Sequence, residues 1–307
     1  MNPPLRFLFP PAFFVCAVLG AAPSVVASAE AEKSAVSELV AERERAALID
    51  GLRDVIARRD AFFAESETLA ENERSRRAAD IAERFESLVE RFPDSVPALW
   101  LFAEFLRDGG ELSRAEKLLL RAEELAPDFV PARFLLGEIF AERGEPEKAF
   151  PRFEFAVRAA PENLEYHLAF GEFLTDSRAE LLAEKIFPSR RELDAAAQDE
   201  FRAACAVAPR DLDVRVRYAE SFYDAETPDW STALAAWNAV SGLLDGNAVS
   251  AAPFLPTAVA LHRARAFAEL GRLGEAEKIL NAAERVPALE RSREAVFEII
   301  EKKKANE

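Results

Sequence analysis

Three prolines, Pro93, Pro127 and Pro161, stand 34 residues apart, and each closes a stretch of helically spaced apolar residues. A fixed period of this length marks a chain that stacks copies of one small unit. Superposing the segments at that spacing aligns Gly110 with Gly144, Ala115 with Ala149, Leu119 with Phe153 and Ala122 with Ala156. Generic amphipathic helices share a period of about 3.6 residues but no fixed landmarks, so these coincidences specify a repeat.

The physics of the unit is that of a helical hairpin. Asp108-Gly109-Gly110-Glu111 and Glu142-Arg143-Gly144-Glu145-Pro146 read as turns, with glycine ending one helix and proline opening the next. The aligned alanines let helices approach, and Leu119 and Phe153 fill the space between them. The closing proline lacks a donor and restricts the residue before it, so the second helix stops there. Composition agrees, with 11 glycines in 307 residues and almost no sheet expected.

The segments resemble tetratricopeptide repeats (TPRs). Residues 130–163 match that family's pattern with Leu136, Gly137, Phe140, Ala149, Phe153, Ala156 and Pro161; residues 96–129 match with Leu99, Phe102, Ala103, Leu106, Ala115, Leu119, Ala122 and Pro127. After Pro161 the register continues through His167, Phe170, Gly171 and Leu174, breaks, and resumes at Ala197, Phe201, Ala204 and Pro209. The 48 residues between the two prolines leave room for an insertion of 14, placed at about residues 177–192. A looser unit carries Tyr218, Ala219, Phe222, Ala233 and Trp237, and another carries Ala264, Phe267, Gly271, Ala276, Leu280 and Ala283. The resemblance implies an all-α fold: a right-handed superhelical solenoid of stacked antiparallel hairpins.

The resulting division is a signal segment at residues 1–29, a long N-terminal helical hairpin or cap at 30–92, repeats over 93–246, a linker at 247–256, a last repeat at 257–287 and a capping helix at 288–307. In the cap, residues 36–65 read as one helix and 74–91 as a second. The capping helix presents Val296 and Ile300 on one side and ends in Lys302, Lys303 and Lys304, which suit a helix C-terminus. A solenoid needs such ends to cover its outermost apolar faces.

Residues 1–29 combine Arg6, an apolar run from Phe7 to about Gly20 and Ala27-Ser28-Ala29, the layout of a secretory signal cleaved after Ala29. The expected location is outside the cytoplasm, the periplasm or cell envelope if the source is bacterial. A competing reading is a retained anchor through residues 7–29, in which case the chain touches a membrane. Lipidation at Cys16 fits less well, because Val15 stands where a small residue is wanted. With the signal removed, Cys205 is the one cysteine left, so no intrachain disulfide forms, and its alanine-rich setting reads as a buried thiol.

The net charge of −16 makes nucleic acid a poor partner. In the TPR family the first helix of each hairpin lines a concave groove. Carried over place by place, the resemblance implies an apolar floor of Trp100, Phe134, Leu168, Val216 and Leu261. It implies two acidic rails beside that floor, Glu104, Glu138, Glu172 and Glu220, broken by Arg265, and Asp108, Glu142, Asp176, Asp224 and Glu269. The sharper expectation is a groove that takes a basic or amphipathic segment of another protein. The plainer one is ordinary solvated helix charge, balanced by neighbours such as Arg107 and Arg143. The lysine, asparagine and arginine used by family members that clamp a chaperone's C-terminal carboxylate do not occur at these places.

Nothing points to catalysis. The two histidines, His167 and His262, have no ligand partner at helical spacing. No phosphate-binding or nucleophile-elbow motif occurs. No catalytic residue, metal or cofactor is expected, and the chain reads as a non-enzymatic scaffold or adaptor whose partners are proteins. The alternative is a structural subunit of an envelope assembly or secretion machine, working through its convex face and end helices.

Overall fold

The computed structural model describes residues 25–245 and 252–306, with side chains from residue 37 onward. The apolar run of the expected signal and the first half of the linker 247–256 lie outside these residues. The chain divides into two compact units, residues 1–67 and 68–307.

The first unit contains α1, Val25–Glu65, a helix of 41 residues that starts earlier than the sequence pattern predicts and includes Ala27-Ser28-Ala29. Val55 and Phe62 are buried, while Leu39, Val40, Ile49 and Phe63 are exposed.

The second unit begins with α2, Glu71–Arg91, followed by hairpins α3 (Val96–Asp108) with α4 (Leu112–Leu125) and α5 (Val130–Glu142) with α6 (Pro146–Ala159). Next come α7 (Leu164–Asp176), the short α8 (Arg178–Ala183) and α9 (Arg190–Val207), of which α7 and α9 form the hairpin. Then α10 (Leu212–Glu220) pairs with α11 (Trp230–Asp245), and α12 (Leu255–Glu269) with α13 (Leu273–Ala282). A 3-10 turn, Pro287–Leu289, leads into α14, Glu290–Lys304, which packs on α12 and α13. No strand occurs among the described residues.

Three of the five hairpin turns are made the same way. Gly110, Gly144 and Gly271 take φ of 78°, 68° and 74°, the left-handed region. The amide beyond each glycine reaches back to close the helix end: Glu111 N donates to Leu106 O at 2.8 Å, Glu145 N to Phe140 O at 2.9 Å, and Arg272 N to Phe267 O at 2.9 Å. This is the Schellman arrangement, in which a residue without Cβ avoids a steric penalty.

The joints between hairpins repeat as well. Pro93, Pro127, Pro161 and Pro209 each follow the helix cap and sit at the second place of a turn, closed by Ser95 N to Phe92 O, Phe129 N to Ala126 O, Asn163 N to Ala160 O and Asp211 N to Ala208 O. Ser95, Asn163 and Asp211 then cap the next helix by accepting from Ala98 N, Tyr166 N and Val214 N.

The small residues are buried where helices cross: Ala115, Ala122, Ala149 and Ala156 have no exposed surface. Two helix-interior glycines mark the closest approaches. A Cβ on Gly171 would lie 2.7 Å from the Phe201 ring, and one on Gly137 would lie 3.4 Å from Arg152 Cβ. Phe153, nearly fully buried, stacks on Phe170 and meets Phe173 at a tilt, both in the following hairpin, so one ring joins two units.

The insertion at about residues 177–192 is partly helical. It holds α8 and lengthens α9 at its start, and Phe187 packs edge-on to Phe150 at 5.5 Å. Buried Asp194 fastens it: Arg178 Nε lies 2.9 Å from Oδ1, and the Glu226 amide donates to Oδ2 at 2.8 Å. Lys185 ends α8 at φ 57°, where the hairpin turns use glycine.

Candidate functional site

The first helices α3, α5, α7, α10 and α12 bring the expected floor residues onto successive hairpins, but at two depths. Trp100, Leu168 and Val216 are half-buried and reachable, with the Trp100 ring edge-on to Phe129 at 5.8 Å. Phe134 and Leu261 are buried and leave the accessible floor. The cause at Phe134 is the next hairpin: Tyr166 covers the ring at 4.4 Å, and Phe153 meets its edge at 5.7 Å. Leu168 leans on the cluster of Ala204, Cys205 and Val214, so its surface is shared between packing and solvent.

The acidic rails are real in register but not unbroken. Glu138 accepts from Arg107 Nη1 at 2.7 Å, and Arg107 Nε also donates to Asp108 at 3.2 Å. Glu172 is held in a two-pronged pair by Arg217, with Nε and Nη2 at 2.5 and 2.7 Å. Glu269 pairs with Lys303 of α14 at 3.2 Å. Arg107 acts as the balancing charge the sequence suggested, while Arg217 went unread; each reaches a carboxylate on the neighbouring first helix, 31 and 45 residues away. Arg143, the other expected balancing charge, turns to Glu116 and Ser113 instead.

Glu142, Asp176 and Glu220 form no ion pair among the described residues and, with Asp224, remain as outward charge; Glu104 is half-buried. Glu138 is the most perturbed of the series. Burial pushes its carboxyl up to about 7 against the pull of Arg107, and nearby Glu165, Glu142 and Asp108 add to the rise.

Both histidines are held by packing partners. His167 is buried, with Nδ1 2.7 Å from Glu200 and Nε2 3.0 Å from Pro161 O, so it ties α7 to α9 and to its own joint. His262 stacks on Trp237 at 4.2 Å and 3°, with Nδ1 3.0 Å from the Tyr223 hydroxyl. Burial, then the Arg265 charge, lowers its pKa to about 4. Cys205 is buried, its thiol pushed up by desolvation and directed at Val214 O at 3.7 Å. Among the described residues no cluster of three or more histidine, cysteine, aspartate or glutamate side chains is arranged to hold a metal ion. No described helix is long and apolar enough to cross a membrane.

Repeated hairpins, left-handed glycines at their tips and proline turns at their joints define a TPR-like helical solenoid. A solved structure agrees: YrrB, described as a TPR protein with an unusual peptide-binding site, matches with a TM-score of 0.53 at 18% identity, over 71% of this chain and 99% of that one. MamA from Desulfovibrio magneticus RS-1 matches with a TM-score of 0.46 at 14% identity, over 64% of this chain and 97% of the other. No family model matches the sequence, and no curated protein does.

Proposed function

We propose that this chain is a non-enzymatic scaffold that holds a basic or amphipathic segment of another protein along its first-helix face, working in the cell envelope after export. The observation that carries the reading is the reachable row of Trp100, Leu168 and Val216 beside Glu142, Asp176, Glu220 and Asp224, an apolar strip edged by one sign of charge. An apolar strip supplies area, and unpaired carboxylates favour a cationic partner and its rate of approach. The pairs Arg107–Glu138 and Arg217–Glu172 narrow the acidic stretch and fix neighbouring first helices to each other. YrrB's peptide-binding site lends the same fold a precedent for holding a polypeptide.

The test is affinity capture from an envelope extract, comparing the unaltered chain with a Trp100→Ala, Glu142→Lys, Asp176→Lys variant at low and moderate salt. The reading expects a small set of proteins with basic segments, released by salt and lost with the variant. Equal, salt-insensitive recovery of one complex by both chains would instead establish a fixed structural subunit.

A further inference from the structure

At the last hairpin the charge pattern inverts. Arg265 stands at the first-helix place where the four preceding hairpins carry Glu104, Glu138, Glu172 and Glu220. It faces a cavity of about 260 Å³ between α12 and the start of α14. The polar lining is Arg265, His262, Arg291 and Ser292, and no carboxylate contributes to it. Leu261, Leu289 and Val296 are among its apolar walls.

Arg265 is held without being neutralised. Its guanidinium lies over the rings of Tyr223 and Trp230, at 4.7 and 5.4 Å from their centroids, which fixes its plane. Its Nε is buried without an acceptor, and neither Arg265 nor Arg291 forms an ion pair among the described residues. In a chain of net charge −16, where most other described arginines reach a carboxylate or a carbonyl, the orphaned Nε of Arg265 and the exposed Arg291 beside it make a cationic cavity wall that favours an anion from outside. The first turn of α14 supplies Arg291 and Ser292 to the wall, and its Glu290 is not among the lining residues.

We propose that this cavity binds a carboxylate carried on an apolar stem, with Arg265 and Arg291 pairing the anion and Leu261, Leu289 and Val296 covering the stem. The cavity holds one side-chain-sized group, so the carboxylate comes from an acidic side chain, a chain terminus or a free carboxylic acid. The site uses Leu261 and Arg265 of the last first helix and includes none of Trp100, Leu168 and Val216.

Titration of the full chain with hexanoate and with its neutral analogue hexanamide, read by tryptophan fluorescence, tests the assignment, because Trp230 and Trp237 adjoin the cavity through Arg265 and His262. Hexanoate is expected to give a saturable change and hexanamide to bind at least ten-fold more weakly. Arg265→Met and Arg291→Met should each weaken hexanoate at least ten-fold. Should a variant fail to fold, the comparison of the two probes in the unaltered chain decides. No saturable change with hexanoate, equal affinity for both probes, or full affinity in both folded variants overturns the proposal. Two pentapeptides identify the source, one amidated with a single glutamate side chain, the other with a free C-terminus and no acidic side chain. Binding of the first assigns an acidic side chain, binding of the second a chain end, and binding of hexanoate alone a free carboxylic acid.

Discussion

Gly137 and Gly171 occupy equivalent places on α5 and α7, yet their surroundings differ. A methyl on Gly171 would enter the Phe201 ring at 2.7 Å, whereas one on Gly137 meets ordinary contact distances. Gly171→Ala should therefore lose about 1–3 kcal/mol by overpacking. Gly137→Ala should be neutral or gain up to about 1 kcal/mol of helix propensity. Urea unfolding of both variants checks the pair, and equal losses would contradict this account of the close approach. Two buried titrations oppose each other in the same pH window. His262, lowered to about 4, binds fewer protons folded than unfolded, so its contribution to stability falls as pH drops from about 6.5 to 4. Glu138, raised to about 7, binds more protons folded, so its contribution falls as pH rises from about 4.5 to 7. In Glu138→Gln, stability should rise with pH across this window relative to the parent, and in His262→Gln it should fall; urea midpoints from pH 4 to 7 read both signs. At this scale the repeat register placed the floor positions on successive first helices but not their depth. A repeat place gives an angle around the helix, and Tyr166, from the next hairpin, decides that Phe134 is covered.

The hairpins were legible because their boundaries are written in glycine and proline. Gly110, Gly144 and Gly271 sit where left-handed backbone ends a helix, and the joint prolines sit where a turn accepts them. The caps Ser95, Asn163 and Asp211, two residues after a joint proline, were equally present in the text and went unread, though proline followed two places later by serine, asparagine or aspartate is a usable signal. The insertion was located but not resolved into elements, since α8 has six residues, too few to display a helical period. Its anchor is a tertiary event: Asp194 on α9 holds Arg178 of α8 and the Glu226 amide beyond the short α10. Asp194→Ala should leave Arg178 without its charge partner and cost on the order of 3 kcal/mol. Thermal or urea unfolding measures the loss, and a change below about 0.5 kcal/mol, the scale of an ordinary surface substitution, would remove Asp194 from the role given to it.

Across residues 68–307 each hairpin packs chiefly on its neighbours, from α2 against α3 to α14 against α12 and α13, so the core is assembled in successive clusters by nearest-neighbour contacts. This is why five co-registered positions disclosed most of the architecture: one unit's pattern, repeated, determines the next interface. Charge disposition was less legible, because pairs such as Arg107–Glu138 and Arg217–Glu172 join different units and follow no fixed spacing. The proposed role depends on which face of the stack meets a partner. The direct test places a photo-crosslinking residue, one position at a time, at Trp100 and Leu168 on the first helices and at exposed Leu120 and Val207 on the second helices, in cells producing the protein. The account predicts discrete protein adducts from Trp100 and Leu168 and none from Leu120 and Val207. Adducts from Leu120 and Val207, with Trp100 and Leu168 silent, would contradict it.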